Sequence, residues 1–252
     1  MNNTADPVKR HFDTIAAGYK EEIPPHIRDH LNAKWWRLVS PLFAPGARVI
    51  DIGCGDGTNA VFLTEKGMSV VGVDFSPRLI GRGRERYPEL GGHLFEGDAL
   101  RLEYADGVFD VAVMTGVLHH IYSRNDQGRA IGEALRVVGS GGIVIIRESN
   151  LINPVFRLFW NYVFPLTSKI DRFGGEHWIS ARYLRRLFGA QIDRTCFFTF
   201  IPNFTPRGLL PLAARVERAL EESPLRRLSA HYLIVLRKGG VTATDGGGLS
   251  GG

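Results

Sequence analysis

Short apolar runs alternate with longer amphipathic segments between about residue 47 and residue 147. Five mostly apolar runs of four to six residues have the length of buried strands, and they cover residues 49–52, 69–73, 93–96, 109–114 and 142–146. A helix is predicted at about residues 125–138, between the last two of these runs. Strands that alternate with helices indicate a parallel sheet covered by helices on both faces.

Two more strand patterns follow near the end of the chain, at residues 195–201 and 230–237. The second alternates enough to predict an antiparallel hairpin at the edge of the sheet. Residues 209–222 between them have helical periodicity. Their Arg and Glu residues fall mainly opposite the apolar positions, which predicts that the charged face is solvated. Residues 241–252 are mostly Gly, Ser and Thr and predict a disordered tail.

The first strand runs directly into a glycine-rich turn and then a helix, in the sequence VIDIGCGDGT of residues 49–58. Glycine allows the sharp backbone turn and the close approach of a ligand. The helix that begins near Thr58 offers unpaired N–H groups to an anionic ligand group. Gly53, Gly55 and Gly57 do not have the dinucleotide spacing G-x-G-x-x-G, and no Gly-Lys-Ser/Thr follows as in a P-loop.

The D-x-G-x-G-x-G arrangement that starts at Asp51 resembles motif I of the class I S-adenosylmethionine-dependent methyltransferases, and the resemblance covers roughly residues 11–148. It implies a Rossmann-like fold with a seven-stranded, mostly parallel sheet, helices on both faces, an antiparallel last strand and a helical substrate cap. It also implies S-adenosyl-L-methionine as the cofactor. The implied cofactor-binding residues are Tyr19, Asp51, Gly53, Cys54, Gly55, Asp74, Phe75, Asp98, Ala99 and Thr115.

Two acidic residues at strand ends agree with this resemblance. Asp74 ends the second strand, where a carboxylate can hold a ribose diol by two hydrogen bonds. Asp98 follows the third strand, where its carboxylate and the nearby backbone suit the adenine ring, as in the family. In the N-terminal segment, Phe12 and Tyr19 are expected to lie against the sulfonium, because aromatic rings attract a cation.

The pattern predicts one methyltransferase domain over residues 1–240. Its parts are an N-terminal helical lid (1–46), a cofactor-binding core (47–148), a substrate cap (149–190) and C-terminal strands with a helix (191–238). The cap contains an aromatic span at residues 154–165. This span fits three interpretations: the wall of a pocket for an apolar or aromatic acceptor, a membrane interface, and a cap helix packed on the sheet edge.

His119 and His120 follow the fourth strand and are the candidate catalytic residues. Such folds bind ligands at this edge of the sheet, and histidine titrates near neutral pH. Adjacent residues at a strand end tend to point apart, so we expect one ring at the reacting centre, with His119 as the base. Glu148, Asn150 and His177 are alternatives on the substrate side. A reaction without a dedicated base also fits, since positioning supplies most of the rate.

Composition sets limits on these hypotheses. The 252 residues have a formal net charge of +5, which allows contact with nucleic acid or an anionic membrane surface. The two cysteines, Cys54 and Cys196, form neither a disulfide framework nor a metal site, and no metal is predicted. The start of the chain lacks a charged-then-apolar signal pattern. We therefore expect a cytoplasmic protein with possible peripheral membrane contact, of unknown oligomeric state.

Three classes of function remain open. The first is methyl transfer to a small lipophilic or aromatic metabolite, to oxygen in preference to carbon or nitrogen. The second is an RNA or protein methyltransferase, which predicts a basic stripe across the substrate mouth. The chain lacks the N-P-P-Y turn and the Pro-Cys nucleophile of nucleic-acid methyltransferases, so nucleic acid is the weaker partner. The third is a non-catalytic cofactor-binding protein, for which a degraded motif is expected.

Overall fold

The computed structural model describes residues 5–16, 23–158, 161–162 and 177–239 of the chain. Tyr19, much of the aromatic span 154–165 and the tail 241–252 lie outside these residues, so their predictions stay predictions. The helices are α1 (Ala5–Ile15), α2 (Pro25–Val39), α3 (Thr58–Glu65), α4 (Pro77–Arg86), α5 (Arg124–Val137), α6 (Pro154–Leu158), α7 (Ala181–Phe188) and α8 (Leu210–Glu222). The strands are β1 (Arg48–Ile52), β2 (Ser69–Asp74), β3 (Leu94–Glu96), β4 (Phe109–Thr115), β5 (Val138–Ser149), β6 (Ile192–Phe198) and β7 (His231–Arg237).

The strands form one seven-stranded sheet in the order β3-β2-β1-β4-β5-β7-β6. Six strands are parallel and β7 is antiparallel to both of its neighbours, which confirms the predicted architecture. The chain moves outward to β2 and β3 on one side of β1, and then continues from β4 on the other side. The carboxyl ends of β1 and β4 therefore border the crevice where folds of this kind bind ligands.

The central strands are apolar on both faces because helices cover both sides of the sheet. Ile50 and Ile52 of β1 belong to one buried cluster with Met114, while Val49 packs on the opposite side with Val113. Successive side chains of a strand point to opposite faces, so a strand buried on both sides must be a continuous apolar run. This requirement explains why the sequence located the five core strands.

The predicted edge position of β7 is wrong. This strand lies between β5 and β6, and five consecutive residues of it are buried. Instead β6 forms the edge, and more than thirty residues that include α8 connect it to β7. Because β6 ends opposite the start of β7, at Phe198 and His231, this connection lies at the same edge of the sheet as the carboxyl ends of the parallel strands.

The sequence predicts that the charged face of α8 is solvated. Glu217 of this helix is instead only 2% exposed. Its carboxylate bonds to the His30 ring at 2.7 Å and to the Lys34 ammonium at 2.6 Å, and accepts the Phe200 N–H at 2.8 Å. Burial raises the pKa of Glu217, but the hydrogen bonds from Lys34, Phe200 and His30 and the charge of Lys34 together outweigh burial, so the pKa lies below its usual value. This network joins α8 to α2 across 187 residues of sequence.

We expect Glu217→Ala to lower the free energy of unfolding by about 3 kcal/mol, because it leaves the Phe200 N–H without its acceptor and removes one of the two carboxylates that pair with the partly buried Lys34 ammonium. In a domain of this size, thermal unfolding should shift downward by about 6–12 °C. Calorimetry measures the shift. Glu222→Ala on the same helix is the control, since this exposed carboxylate should change stability by less than about 0.5 kcal/mol.

The effect of Glu217→Ala should also depend on pH. A carboxyl with a lowered pKa in the folded state stabilises fully above its unfolded pKa, about 4.3, and loses that contribution as the pH falls further. The difference between the native chain and the variant should therefore shrink below pH of about 4. Equal shifts for Glu217→Ala and Glu222→Ala at pH 7 would contradict the buried network.

Among the described residues, no helix combines the length and apolarity needed to cross a membrane.

Candidate active site

The glycine turn after β1 adopts a conformation that requires glycine. Gly53, Gly55 and Gly57 all have positive φ, between 58° and 77°. A Cβ on Gly53 would lie 2.4 Å from Cγ2 of Val117, so a side chain there would also clash with the loop after β4. The Gly53 N–H donates to the Val73 carbonyl at 2.7 Å, which brings the end of β1 against the end of β2.

Asp74 is a buried carboxylate held in one orientation at the end of β2. Its Oδ2 accepts the Gly55 N–H at 2.8 Å, and its Oδ1 accepts the Ser76 N–H at 2.9 Å. A carboxylate has about four acceptor sites, two on each oxygen. Asp74 therefore both fixes the glycine turn and offers a preoriented carboxylate to a bound diol.

A cavity of about 350 Å³ opens at the carboxyl ends of β1, β2, β3 and β4. Eight of the predicted residues line it, namely Phe12, Gly53, Asp74, Phe75, Asp98, Ala99, Thr115 and His120. Asp98 is exposed, and its Oδ1 accepts the Leu100 N–H at 2.8 Å. The motif residues thus converge on a single space, although they are separated by up to 67 positions between Gly53 and His120 in the sequence.

Three predicted cofactor residues, Asp51, Cys54 and Gly55, do not line this cavity. Asp51 and Cys54 are each 1% exposed, and Gly55 donates its N–H to Asp74.

Asp51 interacts with the positive charge of Arg147, a residue that was not predicted from the sequence. Burial lowers the pKa of the Arg147 guanidinium to about 10, against the opposite effect of Asp51 and Glu148. The acid of the glycine motif therefore interacts with a partly buried cation at the end of β5.

Helix α1 closes one side of the cavity, through Val8, Lys9 and Phe12. The Phe12 ring lies edge-on to the His120 ring with centroids 4.8 Å apart. Lys9 forms an ion pair with Glu96, which also lines the cavity. Phe12 was predicted from the sequence and Val8 was not, although the i, i+4 spacing of these two residues on α1 places them on one face of the helix.

The two histidines after β4 have different surroundings. His120 lines the cavity and is half-buried. Burial, followed by the charges of His119 and His11, holds the pKa of His120 well below its ordinary value, so its ring is neutral at neutral pH. His119 does not line the cavity, but it lies close to Gly116, which does. The Cε1 atom of His119 is 3.7 Å from the position that a Cβ on Gly116 would take.

His119 is oriented by a buried carboxylate and an aromatic ring. Its Nδ1 lies 2.7 Å from Oε2 of Glu148, which is 2% exposed. The other oxygen of Glu148 accepts the Leu118 N–H at 2.8 Å. The Trp178 ring stacks on His119 with centroids 4.5 Å apart and planes 9° apart. A carboxylate at Nδ1 places the ring proton on that nitrogen and leaves Nε2 as a proton acceptor.

The other two catalytic alternatives make structural contacts. The Asn150 side-chain amide donates to the carbonyls of Arg227 and Ser229, both at 2.9 Å, so it ties the start of the cap to the residues before β7. The His177 backbone N–H donates to the His119 carbonyl at 2.8 Å, and its ring contacts Tyr122. Asn150 thus holds a loop, and His177 helps to place His119.

Charge at the cavity is mostly negative. Four carboxylates line it, from Asp74, Glu96, Asp98 and Asp126, together with one lysine, Lys9. A basic stripe does not cross this mouth in the described part of the chain. Within the same residues, no cluster of three or more His, Cys, Asp and Glu side chains is arranged to hold a metal ion.

Comparisons with known proteins agree on the fold and on the domain. Residues 50–146 match the family model described as a methyltransferase domain. The chain is 30% identical over 162 residues to a demethylmenaquinone methyltransferase of Renibacterium salmoninarum. This match covers 63% of this chain and 65% of the relative. The chain is also 36% identical over 104 residues to a demethylmenaquinone methyltransferase of Beutenbergia cavernae. This second match covers 41% of each chain. This chain therefore spans less than two thirds of the length of either relative.

Among solved structures, the chain is similar to an S-adenosylmethionine-dependent methyltransferase of Thermotoga maritima, described as a possible histamine N-methyltransferase. The TM-score is 0.64 with 20% sequence identity, and the match covers 91% of this chain and 98% of the other. At this identity the likeness shows the fold alone.

Proposed function

We propose that this chain, which carries a class I S-adenosylmethionine-dependent methyltransferase domain, transfers a methyl group from that cofactor to a small hydroxylated aromatic or lipophilic acceptor. The observation that carries the proposal is the position of His119, held by Glu148 and Trp178 directly beside the cavity that the cofactor motif lines. The relatives named demethylmenaquinone methyltransferase support a quinone-class acceptor as the first to test.

The residues of the cavity fit the cofactor. Asp74 is oriented to accept two hydrogen bonds from a ribose, and Asp98 with Ala99 lies at the end of β3 for the adenine. Phe12 presents a ring to a sulfonium, which an aromatic face attracts once water is excluded. Tyr19, Asp51, Cys54, Gly55, Phe75 and Thr115 remain proposed members of this site, either by contact or by support of the turn.

When bound, S-adenosylmethionine supplies an electrophilic methyl group, so the protein has to place an acceptor atom in line with it. In the proposed reaction His119 Nε2 accepts the proton of the acceptor hydroxyl. Glu148 keeps the other ring proton on Nδ1 and stabilises the imidazolium that forms. Asp74 and Asp98 would hold the cofactor, which would supply the methyl group to the acceptor oxygen and become a neutral thioether.

Aromatic side chains beside His119 favour an aromatic acceptor. Trp178 lies against His119, and Phe156 meets Trp178 edge-on with ring centroids 5.6 Å apart. Tyr122 lies nearby at the cavity. Flat apolar walls with one polar group are typical of sites for small aromatic ligands. The RNA alternative lacks its basic stripe at the described mouth, and the intact glycine motif argues against a non-catalytic protein.

The proposal is tested by titrating S-adenosylmethionine and S-adenosylhomocysteine into the protein by calorimetry, with NAD as the negative control. The protein is then incubated with methyl-labelled cofactor and with quinols and phenols. We expect binding of both cofactor forms and a labelled product, with the label on oxygen by NMR. A label on a ring carbon would correct the acceptor atom. Binding of NAD alone, or folded protein that binds neither cofactor form, would overturn the assignment.

A further inference from the structure

Exposed apolar side chains gather on and around α8. We call these residues the α8 surface, and each of them is between 50% and 76% exposed: Phe204, Leu209, Leu212, Val216 and Leu225. Leu209, Leu212 and Val216 have the spacing of one helical face. The side of α8 that carries Glu217 is turned to α2, where His30 and Lys34 bind that carboxylate. The side of α8 with Glu217 therefore faces α2, and the apolar face of α8 is exposed to solvent.

Five exposed arginines lie in the same segment of the chain as the α8 surface, namely Arg207, Arg215, Arg218, Arg226 and Arg227. Their guanidinium groups form no ion pair with a described carboxylate. The nearby acids do not balance them, because Glu217 is buried and Glu221 pairs with Lys34, which leaves Glu222 as the exposed acid of α8. Apolar side chains bordered by arginine are typical of helices that lie in the interface of an anionic bilayer.

A second cavity, of about 390 Å³, adjoins this surface along the edge strand β6. Its basic lining residues are Lys34, Arg37, Arg185, Arg226 and Arg227. Glu221 is its one acidic lining residue, and this carboxylate is bonded to Lys34. Such a lining suits a phosphate group.

The surface lies at the same edge of the sheet as the candidate active site, since the connection from β6 to β7 begins and ends there. Exposed apolar residues at the start of the cap extend the α8 surface. Asn153 donates its amide to the Leu228 carbonyl, which ties the start of α6 to the segment beside Leu225. Ile152, Val155 and Leu158 in that part of the cap are each more than half exposed.

We propose that the α8 surface docks this protein on an anionic phospholipid membrane, with the arginines on lipid phosphates and the apolar side chains in the acyl boundary. A second copy of the chain is a poorer occupant, because a symmetric contact would bring the two sets of arginines together. The docking would place the active-site edge at the bilayer, where a lipophilic acceptor is concentrated. Membrane binding itself does not depend on the proposed reaction.

The test is co-sedimentation of the full chain, without cofactor or acceptor, with vesicles of phosphatidylcholine alone or mixed with phosphatidylglycerol. We expect binding to the anionic vesicles that weakens with added salt. Leu212→Asp with Val216→Asp should abolish it, and Arg226→Glu with Arg227→Glu should weaken it at least about tenfold. All of these side chains are exposed, so the variants should fold, which circular dichroism checks.

Two control variants match these changes in chemistry. Phe95→Asp alters an exposed apolar residue of β3, at the edge of the sheet farthest from β6, and Arg129→Glu reverses an exposed arginine of α5. Both should bind vesicles like the native chain. Absence of binding to anionic vesicles would overturn the proposal, as would equal losses in the controls. A dimer in sedimentation equilibrium that Leu212→Asp dissociates, without vesicle binding, would assign the surface to a second copy.

Discussion

Replacing Asp74 with alanine is expected to weaken the binding of S-adenosylmethionine by about 10²–10⁴-fold. The estimate comes from two hydrogen bonds to a charged group, each worth about 1.5–3 kcal/mol. The same change removes the acceptor of the Gly55 and Ser76 N–H groups, so the glycine turn also loses its anchor. Calorimetric titration with the cofactor measures the affinity directly.

Asp110→Ala is the matched control for Asp74. Asp110 is an exposed carboxylate near the start of β4, at the opposite edge of the sheet, and it pairs with Arg48 at 2.8 Å. Its loss should leave cofactor affinity within about twofold of the native value, since surface ion pairs contribute about 0–1 kcal/mol to stability and this one lies outside the cavity. Native-like affinity in Asp74→Ala, in protein that is folded, would remove Asp74 from the site.

Replacing His119 with alanine should lower kcat by about 10²–10⁴-fold and leave the dissociation constant of S-adenosylmethionine nearly unchanged. The effects on kcat and on cofactor affinity should differ because His119 lies beside the cofactor cavity and does not line it. Glu148→Gln should also lower kcat, since an amide can donate to Nδ1 and so place the ring proton on the wrong nitrogen. Both variants are measured by single-turnover kinetics with saturating cofactor.

Two observations separate a base from a residue that only shapes the loop. Added imidazole should restore part of the activity of His119→Ala but not that of Glu148→Gln, in which the His119 ring still fills its place. His93→Ala, which removes an exposed histidine before β3, should keep the native kcat. An unchanged kcat in His119→Ala would show that positioning alone drives the reaction, the alternative that the sequence leaves open.

Much of the fold and half of the site are readable from local pattern. The strands around Val49 and Val113 are continuous apolar runs because helices bury both faces, so periodicity alone located them. The glycine turn was visible because positive φ at Gly53 and Gly57 restricts the residue type. Asp74 was found by its place at a strand end, where the parallel topology brings separate strand ends together.

Other features depend on contacts between distant parts of the chain. The sequence predicts His119 as the base, but the contact of its ring with Glu148 depends on how β5 lies beside β4. The lining role of Lys9 depends on the pairing of α1 with Glu96. No local period carries this information, since each partner is many residues away.

The sequence alone determined the alternating strands and helices, the glycine turn and the acids at the strand ends, because backbone geometry and burial restrict residue type at each position. Only the tertiary structure decided the place of β7 and the orientation of α8. Periodicity shows that α8 has an apolar face, but Glu217 meets Lys34 of α2 across the fold and turns that face outward. A buried carboxylate must satisfy its charge, and that requirement outweighs the burial of a few leucines.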